Sequence, residues 1–483
     1  MRKYPIITLL LLGSIIILSQ SVTDWPSEPD LKAAFAESAL PHEPILITTE
    51  TNFSDYGFAG IGTEEQPYLI SGLEIISSGE PCISITGSFN SYYIIEDCII
   101  SGTTDLNGGV HLQAGNGTIS NLEISDCDIG IRIVGNNKSV IGSHISNTAS
   151  SGLRIEGCSD ITVMDVVVGA SVEDMDAGIA IDDSENILIE NTDVLITGTV
   201  RIHGLRARNT EGLTLTNCHI IESYDQGLPM QGIKIDSCSD IVFDTSTFAN
   251  IDINLAEVDG LSIQSSHFEN CVLGEWGYGV CQIQENFFNS SNVMVKESYH
   301  SATNVRSNSM LNTYFRVNDN SSLVADNTID STEDIPYGIY VEDHAYNVEV
   351  VNNTVTGFVA GILLKCKDSV IRNNTVAENQ IGIDVRETGA NNRICYNYLY
   401  TNDLNARDDG SSNIWDDGTS LGNYWDDLPA GAETYQISGS AGAVDRYPVR
   451  LASSSTFEMN PIPIVLAIAS MAVVVIVILL KRK

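Results

Sequence analysis

GIRIVGNNKSVIGSHISNTASSGLRI occupies residues 130–155 and carries one phrase twice: Gly, aliphatic, any residue, aliphatic, at 130–133 and again at 152–155. The phrase recurs as GVHL at 109, GIAI at 178, GLRA at 204, GIKI at 232, GIYV at 338, GILL at 361 and GIDV at 382. From 109 to 232 the successive spacings are 21, 22, 26, 26 and 28 residues, and from 338 to 382 they are 23 and 21. Each phrase alternates as a short strand does, with apolar residues pointing one way. Further short strands follow it, as in ITVMDVVV, ILIENTDVLI and LTLTNCHII. Asn, Asp, Ser and Gly fill the corners, where left-handed backbone costs them little. A unit of about 22 residues with two or three strands cannot bury its own apolar face, whereas stacked copies bury a continuous core.

The spacing therefore predicts an all-β fold, a single-stranded right-handed parallel β-helix. About 13 coils stacked some 4.8 Å apart would span roughly 60 Å. Leucine-rich repeats share the period but need an LxxLxL frame, which is missing. Propeller blades need about 40 residues. Between 250 and 330 the phrase fades, yet INLAEVDGLSIQSSHF and YFRVNDNSSLVADNTI keep the alternation.

Both ends of the 483-residue chain read as membrane signals. MRK precedes an apolar run from Ile6 to Leu18 and the small residues Ser19 and Ser21, the pattern of a signal peptide over 1–21. Pro461 to Leu480 carries no charge and is followed by KRK. Twenty helical residues cross a bilayer core, and the basic tail places 481–483 inside. The expected order is signal peptide 1–21, linker 22–42, N-terminal cap and first coils 43–82, repeats 83–400, C-terminal cap 401–450, linker 451–460, transmembrane helix 461–480 and cytoplasmic tail 481–483. The body is thus expected outside the cell, anchored to the membrane.

The chain has 24 Lys+Arg against 63 Asp+Glu. Five of the basic residues, Arg2, Lys3, Lys481, Arg482 and Lys483, lie at the extreme ends, leaving 19 against 63, or −44, for the body. Such a surface repels phosphate backbones and excludes nucleic-acid binding. Seven N-x-S/T sequons, at Asn52, Asn116, Asn137, Asn289, Asn320, Asn352 and Asn373, are candidate glycan acceptors in a host that glycosylates. Of the ten cysteines, Cys98, Cys127 and Cys218 share one place in the repeat, and Cys158 and Cys238 another. Coils three apart are too distant to bridge, so these read as buried ladder residues. Cys271–Cys281 is the one local disulfide candidate.

From about 43 to 450 the chain resembles the NosD-like right-handed parallel β-helix proteins, also described by carbohydrate-binding and sugar-hydrolysis (CASH) repeats. The leader FAGIGTEEQPYLISGLEI (58–75), the coils VVNNTVTGFVAGILL and VIRNNTVAENQIGIDV, and the ending NIWDDGTSLGNYWDD (413–427) followed by VDRYPV (444–449) carry the resemblance. The ending reads as a structural cap, with Trp415, Gly422, Asn423, Tyr424 and Trp425 covering the last coil. A ligand site at the tryptophans, or a weakly bound calcium among the aspartates, is the alternative. No other cofactor is expected.

The resemblance implies copper handling as one function, but His144, His219 and His267 stand two or three coils apart, too far to converge on one metal. No metal site is predicted. A polysaccharide lyase or hydrolase is the second reading. Asp182, Asp183 and the NTD at 191–193, with Asp193, are its candidate carboxylates, although IHG stands at 202–204 where a polygalacturonase has GHG. The third is binding. The second and fourth residues after each Gly point outward, giving one column of His111, Arg132, Arg154, Ala180, Arg206 and Lys234. A second column holds Gln113, Val134, Glu156, Asp182, Arg208 and Asp236. These cations either neutralise neighbouring acids, Arg154 with Glu156 and Lys234 with Asp236, or form a groove for an anionic glycan. The expectation is a surface scaffold or carbohydrate-binding module whose partners are the membrane and a polysaccharide or surface protein.

Overall fold

The computed structural model describes residues 39–450 apart from 104–106, 171–175, 198–201, 224–229 and 296–302. The expected signal peptide and the apolar segment at 461–480 lie outside the described residues. Within those, no helix is long and apolar enough to cross a membrane.

The chain winds as a parallel β-solenoid. One coil shows the plan: Ile129–Ile133 lies in sheet 1, Lys138–Ile141 in sheet 2 and His144–Ser146 in sheet 3, and Ser151–Glu156 then returns to sheet 1. Sheets 1, 2 and 3 hold 16, 15 and 17 strands. The stack therefore exceeds the expected 13 coils and spans roughly 70 Å at the spacing between neighbouring strands. Inward side chains repeat in register. In sheet 1, Ile131 stands on Leu153, Leu153 on Ile179 and Ile179 on Leu205, all buried. This apolar column is part of one continuous core that runs from Ile45 to Ile437.

The glycine of the recurring phrase serves close approach. A Cβ on Gly130 would lie 2.5 Å from the Gly152 carbonyl oxygen and 2.6 Å from Ile145 Cγ2. The glycine forms a bulge in sheet 1, seen where Gln231 pairs with Asp252 but Ile233 pairs with Ile253, skipping Gly232. From Ile251 to Val317 the strands of sheet 1 alternate without the extra residue, and the glycine is not needed until it returns at Gly338. The described residues of 250–330 thus belong to shortened coils. Their sheet-3 core is a phenylalanine ladder, Phe248, Phe268 and Phe288, with ring centroids 5.0 and 4.6 Å apart.

Corners turn through left-handed residues such as Asn121, Asn147, Asn191 and Asn217. The asparagine of NTD is therefore a turn residue. Toward the C-terminus the corner residue after the turn becomes asparagine. The Asn286 side-chain amide donates to Asn308 at 3.1 Å, and the chain of amides continues through Asn327, Asn353, Asn374 and Asn397 to Asn423. These buried amides are satisfied by their neighbours in the stack, as burial requires.

At the N-terminal end the short helix Thr51–Asp55 covers the first coils with Phe53, stacked on Tyr68 at 4.3 Å. At the other end the hairpin of Tyr435–Gln436 and Val444–Asp445 closes the stack. Trp415 and Trp425 are fully buried with ring centroids 6.0 Å apart, and Tyr435 stacks on Trp425 at 4.0 Å. Gly422 lies so close to Asp445 that a Cβ would meet its carboxylate at 1.9 Å. Tyr424 continues sheet 3 on Tyr398. The tryptophans are core of the cap and present no surface to a ligand.

The cysteines need two corrections. All ten are free and buried, so Cys271 and Cys281 are not bridged. Cys271 sits at the corner leading into Val272–Trp276 of sheet 1, whereas Cys281 opens a strand of sheet 2. Cys127 lies at the corner between sheets 3 and 1, like Cys271, whereas Cys98 and Cys218 lie between sheets 2 and 3. Burial pushes the Cys98, Cys127, Cys158 and Cys218 thiols up to about 11, which makes them inert packing groups.

Candidate functional site

The outer face of sheet 1 gathers the predicted columns. Register runs Ser84, His111, Arg132, Arg154, Ala180, Arg206, Lys234, one per coil. In the second column Glu156, Asp182, Arg208 and Asp236 follow one another. Parallel stacking places like residues at strand spacing, so the arginines need acids between them.

The acids are there. Arg132 donates through Nε and a terminal nitrogen to Glu156 at 3.0 and 2.8 Å, and its other terminal nitrogen donates to Asn107 at 2.7 Å. Arg154 lies 3.2 Å from Glu156 and 3.3 Å from Asp176. Arg206 is forked on Asp182 at 2.6 and 2.8 Å and also reaches Asp176 at 2.9 Å. Arg206 is 1 % exposed, and its Nε is buried with no hydrogen-bond partner. Three guanidiniums and three carboxylates thus form one cross-linked ladder. Asp176 and Asn107 come from the turns that precede sheet 1. They were missed in the columns because turn residues fall outside the repeating phrase.

Lys234 and Asp236 form no ion pair among the described residues. Lys234 is half-buried and Arg208 exposed, and neither has a carboxylate within ion-pair distance there. Ala180 is buried.

The candidate catalytic carboxylates do not converge. Asp182 is on sheet 1 and held by Arg206. Asp183 is a left-handed corner residue that accepts from Asn209 at 2.9 Å. Asp193 is on sheet 3, 2.6 Å from His219. His144 pairs with Glu123 at 3.0 Å, three coils from His219, and His267 lies two coils beyond that. Among the described residues no group of three His, Cys, Asp or Glu could hold a metal.

Further along the same face lies a second cluster. Arg316, Tyr340, Leu363, Asp384 and Arg407 continue the first column. Arg316 pairs with Glu342, and the fully buried Asp384 holds Arg386 at 2.8 Å and Arg407 at 2.7 Å. Tyr337 lies 5.2 Å from Tyr314 and 4.8 Å from Tyr340, ring to ring. Lys365 Nζ sits 5.4 Å over the Tyr340 ring and has no carboxylate within ion-pair distance among the described residues. The sequence signal was available, since Tyr337 and Tyr340 bracket the glycine of GIYV, but tyrosines read as strand formers there.

The cap aspartates are equally committed. Asp408 accepts from the Trp415 indole at 2.8 Å and from Asn413 at 3.0 Å. Asp416 is fully buried against Arg446 at 2.6 and 2.8 Å. Burial raises the Asp416 carboxyl, but the Arg446 and backbone donors outweigh it and hold the group below its ordinary value.

Residues 280–430 match the family described as periplasmic copper-binding protein (NosD), and residues 57–194 match the right-handed β-helix region. No curated protein matches the sequence. Among solved structures, a mutant tailspike protein of E. coli bacteriophage HK620 in complex with a pentasaccharide is similar at 10% identity and a TM-score of 0.41, covering 77% of this chain and 82% of that one. PfbA, a surface adhesin of Streptococcus pneumoniae, is similar at 11% identity and 0.32, covering 85% and 100%. The A-module of an Azotobacter vinelandii mannuronan C-5 epimerase is similar at 12% and 0.32, covering 83% and 99%.

Proposed function

Starting from a NosD-like right-handed β-helix protein, we propose that this chain is an exported, membrane-anchored surface module that binds an extended glycan along the outer face of sheet 1 without cleaving it. The observation that carries the reading is that face itself, an in-register column with a cationic run from Arg132 to Lys234 and a second group of Arg316, Tyr340 and Arg407, separated by small and apolar residues. A rigid stack offers equivalent positions to successive units of a polymer. Hydrolysis needs two carboxylates flanking one bond, and Asp182, Asp183 and Asp193 lie on a sheet, a corner and another sheet. That separation supports binding over catalysis. Within the N-terminal half of the face the ladder of Arg132, Arg154 and Arg206 acts as a stiffener, and Lys234 and Arg208 are the cations open to an anion. The test is incubation of the full-length chain in detergent with acidic and neutral polysaccharides, following polymer mass by light scattering. Co-elution at undiminished polymer length is the expected result. Shortening would replace the reading with an enzyme, and absence of co-elution with every polymer would leave a scaffold for protein partners.

A further inference from the structure

The C-terminal half of the sheet-1 face differs from the rest of this acidic molecule. Every arginine on it is held by a carboxylate: Arg316 by Glu342, and Arg386 and Arg407 by Asp384. Lys365 is the cation without a carboxylate: its ammonium lies over the Tyr340 ring, which the Arg316 guanidinium also approaches at 5.6 Å. A cation over a ring gains some attraction from the ring face and keeps its charge for a further partner. Beside it, Tyr314, Tyr337 and Tyr340 form a contiguous half-buried aromatic cluster, Tyr337 meeting Tyr314 edge to face at 72° and tilted 59° from Tyr340, a shelf with a step in it. Asp384, wholly buried, fixes Arg386 and Arg407 at one edge, so the shelf is bounded by immobile charge.

We infer that this shelf is a subsite for a uronic-acid residue of a glycan, the pyranose packing its C–H groups into the edge-to-face pair of Tyr337 and Tyr314 and the carboxylate meeting Lys365. The inference rests on the glycan-binding reading above and narrows it to one ligand chemistry. A neutral sugar would leave the Lys365 charge unmet. A small inorganic anion would leave the tyrosines unused. The uronate satisfies both. The ladder of Arg132, Arg154 and Arg206 contributes no such subsite, because its guanidiniums are already occupied.

The test measures binding of the full-length chain to immobilised polygalacturonate, to its fully methyl-esterified form and to dextran. Wild-type chain is expected to prefer polygalacturonate, and Lys365→Ala and Tyr337→Ala each to weaken that binding at least ten-fold. Lys365→Arg should retain it, and Arg372→Ala, on sheet 2, should leave it unchanged. Unaltered circular dichroism separates loss of the subsite from loss of the fold. If wild-type binds polygalacturonate and both the Lys365→Ala and Tyr337→Ala variants bind equally well, the subsite is wrong and the glycan reading stands. If the methyl ester binds as tightly as the acid, the uronate assignment fails. If wild-type binds no polymer at all, the glycan reading fails with it.

Discussion

Asp445 accepts a hydrogen bond from the backbone N–H of Asn423 at 2.8 Å, where the buried asparagine ladder ends. The same carboxylate takes the Trp425 indole N–H at 2.9 Å, and its other oxygen takes the Tyr447 N–H at 3.0 Å. An amide ladder always leaves donors over at its last rung, and a carboxylate, which only accepts, is the group to end it. The other two corners end alike, one on Asp408 and one on Asp426 and Asp427. Asp445→Ala would strand these donors in the core. The expected loss is about 2–4 kcal/mol of unfolding free energy, read by denaturant titration, with Asp445→Asn losing less. Unchanged stability would show that the cap does not hold the end of the stack.

Glu275 occupies an inward position of sheet 1, between Leu255 and Val295 in register. Burial, with Asp319 nearby, pushes its carboxyl up from 4.5 to about 7. The folded value lies above the unfolded one. The stability that the neutral acid permits is therefore complete below about pH 4.5 and lost as pH rises through about 7, amounting to roughly 3 kcal/mol. Unfolding free energies at pH 5 and 8.5 should differ in that sense, and Glu275→Gln should flatten the difference. A wild-type profile already flat over this range would refute the assignment.

Removing Arg206 leaves Asp182 without a counter-charge and Asp176 with Arg154 alone. Because both acids keep some contact with solvent, Arg206→Ala should cost on the order of 2–3 kcal/mol, below the figure for a wholly buried pair. Arg132→Ala, on a more exposed pair, should cost under about 1 kcal/mol. Equal effects from the two substitutions would mean that burial does not distinguish them.

The seven sequons differ in accessibility. Asn137 and Asn373 are exposed left-handed corner residues. The Asn52 side chain accepts from the Thr48 and Thr49 N–H groups at the helix start, and the Asn289 amide is tied to both oxygens of Glu269. Expression in a glycosylating host should modify Asn137 and Asn373 and spare Asn52 and Asn289. Peptide mapping by mass spectrometry gives the answer, and glycan on Asn52 or Asn289 would contradict it.

The register of Arg132, Arg154, Arg206 and Lys234 was legible because period-2 alternation and a repeated phrase fix which side chains share a face. The same logic placed His144, His219 and His267 in one column with their coil separations. Cys127 was misplaced because a buried residue beside a corner looks alike at all three corners. Asp176, which ties Arg154 to Arg206, sits in a turn whose length changes from coil to coil, so no periodic reading reaches it. The fading phrase after residue 250 was ambiguous because it reflects loss of a bulge, and loss of a bulge removes the glycine while keeping the coil.

In all three sheets the strands lie across the long axis and their hydrogen bonds run along it. Tension between the two ends therefore loads the coil junctions in series, and the weakest junction sets the yield force. A sideways push is instead shared by three sheets and a solid core. The molecule should behave as a stiff strut under bending and as a zipper under pull, opening from whichever terminal coil gives first. The buried Trp415–Trp425 pair and the aspartates behind it then act as a mechanical stop, delaying the start of unzipping at that end.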